Sequence, residues 1–222
     1  KCPRFVCVDP ADQYPVLRET RAAQPASGVC LGPMPSHKAA QRFIDTLQDA
    51  FDLCRHERCL RAAPHGQSCA YAQMNRCLKV CCGGVSLDEY RSVVARAAAY
   101  AAGDRAGYRA ELETRMKHAA SALEFERAAA VKARLSRLAE LDGPQYDQVA
   151  TLEAFRFVLV QRGHSTSKPM AFCVNWGQCQ AVELEYPPSE QHLTSLLADM
   201  GAARMPAQIT PLEQWTMGLV AS

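Results

Sequence analysis

The stretch CRHERCLRAAPHGQSCAYAQMNRCLKVCC, Cys54 to Cys82, decides how the rest of the chain is read. It gathers six of the chain's eleven cysteines into 29 residues. Five cations, Arg55, Arg58, Arg61, Arg76 and Lys79, stand there against one acid, Glu57. Three chemistries fit so dense a set of thiols. Disulfides need an oxidising compartment. The opening KCPRFVCVDP has no apolar run of signal-peptide type, and an odd cysteine count leaves one thiol over. Structural zinc favours paired hooks, and Cys54-x4-Cys59 with Cys77-x3-Cys81 admits it. Four thiolates also hold a [4Fe–4S] cluster. Spacing leaves zinc and the cluster side by side, ahead of disulfides. His56 and His65 are the only histidines close by and are weaker ligand candidates.

Working outward, the charge is local. The net charge is only +2. Residues 1–53 carry six basic and six acidic side chains, 54–82 five and one, 83–143 ten and nine, and 144–222 four and seven. The basic excess therefore belongs to the cysteine segment, where it serves either as an attraction for phosphate or as a shell around thiolates. No apolar run is long enough to span a membrane.

Upstream, Phe5–Val8 alternates like a strand, with Val16–Thr20 as its partner across Asp9–Asp12. Gly28 to Ser36 reads as a loop because of Gly32-Pro33 and Met34-Pro35. Ser36 is the expected N-cap of a helix from His37 to about Leu53, with Ala40, Phe43, Ile44, Leu47, Ala50 and Phe51 on one face. That helix delivers Cys54. Within the segment, Ala70–Met74 reads as one helical turn that carries Tyr71 to a buried position. Downstream, Ser86-Leu87-Asp88-Glu89 is a capping box for a helix to about Ala102 that turns Tyr90, Val93, Val94 and Ala97 inward. Gly103 and Asp104 end it and cap the next, which presents Leu112, Met116, Ala120 and Leu123. No Gly or Pro interrupts this stretch before Asp142-Gly143-Pro144, which admits one long helix, but a second S-x-x-E, Ser121 to Glu124, favours a restart and hence a helical hairpin.

The residues themselves carry a resemblance. SCAYAQMNRCLKVC is similar to the cysteine segment of the UvrC/Cho family of bacterial excision-repair nucleases. LGPMPSHKAAQRFIDTLQDAF before it resembles the family's FGPYPS-then-helix phrase, and MKHAASALEFERAAAVKARLSRL after it resembles the family's UVR motif. Three motifs in family order cover residues 15 to 141.

The resemblance implies a [4Fe–4S] cluster on Cys54, Cys69, Cys77 and Cys81, with Cys59 and Cys82 as substitutes. It implies a hairpin that docks a UvrB-like helicase subunit through Met116, Leu123, Phe125, Ala128, Ala129, Val131 and Leu135. DNA contact would fall to Arg55, Arg58, Arg61, Arg76 and Lys79. The setting implied is cytoplasmic excision repair. The chain departs from the family in holding no GIY-YIG phrase, so it is expected not to be catalytic alone, and Lys1 in place of Met suggests a piece of something longer. The competing reading is an adaptor with a zinc site and a UVR interaction element.

The last 80 residues predict three strands (Phe155–Gln161, Met170–Val174, Ala181–Tyr186), a helix from Pro187 to Met200 and a short helix from Thr210. Cys173 and Cys179 flank the Asn175-Trp176-Gly177 turn and are expected to be core thiols. The expected class is α+β and helix-rich, in four parts: 1–53, the cysteine-rich 54–85, the helical 86–143 and a small α+β unit 144–222.

Overall fold

The computed structural model describes residues 3–21, 28–147, 149–165, 168–176, 178–184, 187 and 189–202. The class is α+β, as the periodicities predict. β1 (Arg4–Val8) pairs antiparallel with β2 (Arg18–Thr20) through Phe5↔Thr20 and Cys7↔Arg18. This is the expected strand pair.

The expected loop at Gly28–Ser36 is instead a strand, β3 (Val29–Met34), antiparallel to β1 and almost wholly buried. Gly and Pro misled here because they sit at an irregularity. The register slips between Arg4 and Val6, opposite Gly32 and Pro33, and bulges are where sheets tolerate both residues. A Cβ on Gly32 would lie 2.5 Å from the Phe5 ring, so only glycine lets that ring pack there. β4 (Ala150–Thr151) completes a sheet of order β2-β1-β3-β4.

On this sheet lies α1 (His37–Phe51). The Ser36 hydroxyl accepts the Ala39 N–H at 3.1 Å and starts the helix as expected. All six residues of its predicted stripe are buried. Phe43 and Leu47 are fully covered, and each such side chain contributes roughly 1.5–3 kcal/mol by leaving water. α4 (Leu87–Ala102) opens on the predicted capping box, with both of its reciprocal bonds formed. It buries Tyr90, Val94 and Ala97, leaves Val93 half-buried, and adds Tyr100 and Ala101 to the core.

α5 (Arg105–Ser121) and α6 (Phe125–Ala139) form the expected antiparallel hairpin. Its turn is made differently from the expectation. Ser121 closes α5 and donates its hydroxyl to the His118 carbonyl at 2.8 Å, so it caps nothing downstream. The backbone reverses at Leu123, where φ is +60°. Ala119 is buried where Ala120 was expected.

The C-terminal unit is a three-stranded antiparallel sheet, β5 (Arg156–Ser165), β6 (Lys168–Asn175) and β7 (Gln178–Glu183), with α7 (Glu190–Ala202) beside it. Phe5, Cys30, Leu152, Phe155, Val174 and Trp176 form one cluster joining the two sheets. Cys173 is buried as expected, but Cys179 is exposed. In register Cys179 opposes Val174, so the two cysteines are offset by one residue and fall on opposite faces. The expected helix from Thr210 lies outside the described residues.

Candidate functional site

The cysteine segment is almost free of long elements. α2 (Glu57–Arg61), α3 (Ala70–Gln73) and a single 3-10 turn at Val80–Cys82 are its only regular parts. It is fixed by burial and by a few hydrogen bonds. Leu60, Ala72 and Val80 are buried, Leu60 and Val80 within the main core. The Cys54 N–H donates to the Tyr90 hydroxyl at 3.2 Å, and the Leu78 N–H to the Asp52 carbonyl at 2.9 Å. The Gly66 N–H donates to the Cys81 carbonyl at 2.7 Å. A Cβ on Gly66 would lie 3.0 Å from that carbonyl oxygen, so the approach requires glycine. Tyr71, expected to be buried, is only half-buried, and Ala72 takes the inner position. A four-residue helix turns one side chain inward, and Ala72 is the one that faces the core.

The thiols converge on one neighbourhood. Burial, with repulsion from Cys59, Cys77 and Cys69 added, pushes the Cys54 thiol up to about 11. Burial also raises Cys77, with Cys69 and Cys82 acting on it. Burial raises Cys81 too, helped by a hydrogen bond with the Cys82 thiol and by the charges of Cys82, Cys54 and Cys69. Cys59 is raised by burial and by Cys69, to which it hydrogen-bonds. So Cys54, Cys59, Cys77 and Cys81 each lie close enough to other cysteines of the segment to feel their charge. As the side chains stand, no three His, Cys, Asp or Glu residues among the described residues are disposed to grip an ion. The donor chemistry is nevertheless that of a soft-metal or cluster site. Burial holds these thiols neutral, and a bound cation would favour their thiolate forms.

The cations of the segment are mostly spent within the chain. Arg55 is 13% exposed, bonds Asp45, Gln48 and Asp49 of α1, and lies over the Tyr71 ring at 4.9 Å. Arg76 also reaches Asp49, at 2.8 Å, and Arg61 pairs with Glu57. Arg58 is exposed and Lys79 half-buried. Asp45 and Asp49 went unread in the sequence. Their signal was an acidic pair one turn apart on the polar side of α1, shortly before the basic segment.

The hairpin seam divides. Near its base, Val131 and Leu135 pack on the main core, Tyr108 stacks on Phe51 at 4.5 Å, and Arg134 pairs with Asp52. Met116 and Ala128 are half-buried and Ala129 is exposed. At the turn, Leu123 and Phe125 are 73% and 66% exposed. Leucine at a positive φ carries a backbone cost of roughly 1–2 kcal/mol that glycine would avoid. The turn is held by its backbone, with the Leu123 N–H donating to the Ala120 carbonyl at 3.1 Å and the Glu124 N–H to the Ala119 carbonyl at 2.9 Å, while the leucine side chain itself stays uncovered.

The described residues thus make a thiol-bearing α+β module with a projecting helical hairpin. Residues 3–100 match the family described as UvrC/Cho excinuclease, middle domain, and over that region the chain belongs to the UvrC/Cho family. It is 25% identical to the UvrABC system protein C of Hyphomonas neptunium over 86% of this chain and 31% of that protein. It is 31% identical to that of a Chelativorans species over 73% of this chain and 25% of the relative. The corresponding figures for Caulobacter vibrioides are 34%, 56% and 19%. The chain spans less than a third of the length of these relatives. No solved structure matches it. No helix among the described residues is long and apolar enough to cross a membrane.

Proposed function

We propose that this chain is a non-catalytic part of a nucleotide-excision-repair protein of UvrC type. In this reading it organises a [4Fe–4S] cluster and presents the α5–α6 tip, as a UVR element, to a UvrB-like helicase subunit. The observation that carries the docking half is the exposed pair Leu123 and Phe125, with Leu123 at a costly backbone angle. A helix pair so placed offers apolar anchors to another helical surface.

Cys54, Cys69, Cys77 and Cys81 would hold the cluster, with Cys59 and Cys82 as substitutes. When bound, the cluster supplies four thiolate bonds that cross-link the irregular segment, and its role is structural. The protein's own part is to position the thiols. The end of α1 delivers Cys54, Tyr90 holds its backbone, and the Gly66 contact fixes the loop beside Cys81. Arg55 joins the segment to α1 through Asp45 and Asp49.

The test of docking is titration of a UvrB-type helicase subunit onto the full chain and onto Leu123→Ser and Phe125→Ser. A loss of at least about tenfold per variant, with an unchanged melting temperature, is expected of central apolar anchors. Unchanged affinity would remove the tip from the interface.

A second reading has its own support. Arg55, Arg61 and Arg76 are already paired with acids of this chain, which favours an adaptor whose cations shield thiolates over one that grips DNA. Arg58→Gln, Arg61→Gln and Arg76→Gln together separate the two. DNA contact predicts weaker binding and a flatter dependence on salt, and a thiolate shell predicts no change.

A further inference from the structure

A pair of cysteines outside the thiol-rich segment has a chemistry of its own. Cys7 on β1 and Cys30 on β3 oppose each other directly in the antiparallel register and are joined as a disulfide, with Cα atoms 4.1 Å apart. Directly opposed residues share one face of a sheet, which brings the two sulfurs together. Their surroundings differ. Cys30 is 3% exposed and lies in the cluster of Phe5, Leu152, Phe155, Val174 and Trp176 that joins the two sheets. Cys7 is half-buried at the margin of that cluster. Of the two, Cys7 is therefore the more accessible from solvent and Cys30 the more enclosed.

We propose that Cys7 and Cys30 are a reversible dithiol–disulfide site, in which Cys7 exchanges with a low-molecular-weight disulfide and Cys30 resolves the product, so that oxidation locks β1 to β3. In the reduced pair, Cys7 loses its proton and its thiolate attacks one sulfur of a disulfide such as oxidised glutathione. The S–S bond breaks, one glutathione thiolate leaves with the electron pair and takes up a proton, and a mixed disulfide remains on Cys7. Cys30 then loses its proton, its thiolate attacks the Cys7 sulfur, and the second glutathione leaves and is protonated. Two protein thiols are oxidised to one disulfide while one glutathione disulfide is reduced to two glutathiones. An accessible thiol with a resolving partner beside it is the arrangement expected of a reversible redox site. The bond joins residues 23 apart in sequence with β2 between them, and β3 leads directly into the Ser36 cap and α1. Oxidation therefore tightens the sheet on which the cysteine-delivering helix rests.

The test equilibrates the full 222-residue chain anaerobically in glutathione buffers from reduced to oxidised, then alkylates free thiols for peptide mass spectrometry and records melting in parallel. A Cys7–Cys30 cross-linked peptide should appear and disappear with the buffer ratio, and the oxidised form should melt roughly 5–10 °C higher. Cys30→Ala should accumulate glutathione on Cys7. Cys7→Ser should leave Cys30 unmodified and abolish the melting shift, and it serves alone if Cys30→Ala does not fold. The proposal is overturned by alkylation of both cysteines at every ratio, by glutathione on Cys30 in Cys7→Ser, or by a cross-link that leaves melting unchanged.

Discussion

The cysteine segment and the tip of the α5–α6 hairpin are both short, irregular stretches with apolar side chains, yet their own chain treats them in opposite ways. In the segment, Leu60, Ala72 and Val80 are covered, and backbone groups near Cys54, Gly66 and Leu78 are tied to Tyr90, Cys81 and Asp52. At the tip, Leu123 and Phe125 have no such cover. The first stretch contributes to stability, so changes there should lower it. The second carries a backbone cost, so changes there should leave stability alone or raise it.

The largest effect belongs to the thiols. If the proposed cluster is bound, Cys77→Ser or chelation should unfold residues 54–85, because binding free energy at such a site is folding free energy. Hydrogen exchange should show lost protection in the segment and at the end of α1, with α5 and α6 still protected. Leu60→Ala should follow, at a cost of roughly 2–5 kcal/mol in denaturant melts, as for any fully covered leucine. Gly66→Ala forces the Cys81 carbonyl or Ala62 to move and should cost roughly 1–3 kcal/mol, with loss of bound iron or zinc as the second readout. The smallest effect has the opposite sign. Leu123→Gly should stabilise the chain by roughly 0.5–1 kcal/mol while weakening helicase-subunit binding, since glycine accepts the positive φ but offers no anchor. If Leu123→Gly destabilises, the tip is supported by its own chain and the contrast with the segment fails.

The sequence was most informative where one local rule decides the outcome. Ser36 and the Ser86–Glu89 box start their helices, and the α1 stripe is buried residue by residue, because caps and period need only nearby residues. It failed where two distant parts decide together. β3 was hidden because Gly32 and Pro33 signal a loop until Phe5 and the register slip of β1 are known. With β3 hidden, the opposition of Cys7 and Cys30, which lie 23 residues apart, had no signal. The apolar repeat of the hairpin was visible throughout, but it could not tell Leu135, which packs on the core, from Leu123, which does not. Likewise, the basic excess of the cysteine segment was visible and its neutralisation by Asp45 and Asp49 was not.

The most direct test of the central claim, that the segment's thiols form one structural cluster site, is metal and sulfide analysis of the anaerobically purified chain with its absorption spectrum. The account predicts a brown protein with about four irons and four sulfides per chain, lost together in Cys77→Ser. One zinc without iron would contradict the cluster and favour the adaptor reading. Neither metal, with the six thiols of Cys54–Cys82 freely alkylated in a folded chain, would contradict the claim itself.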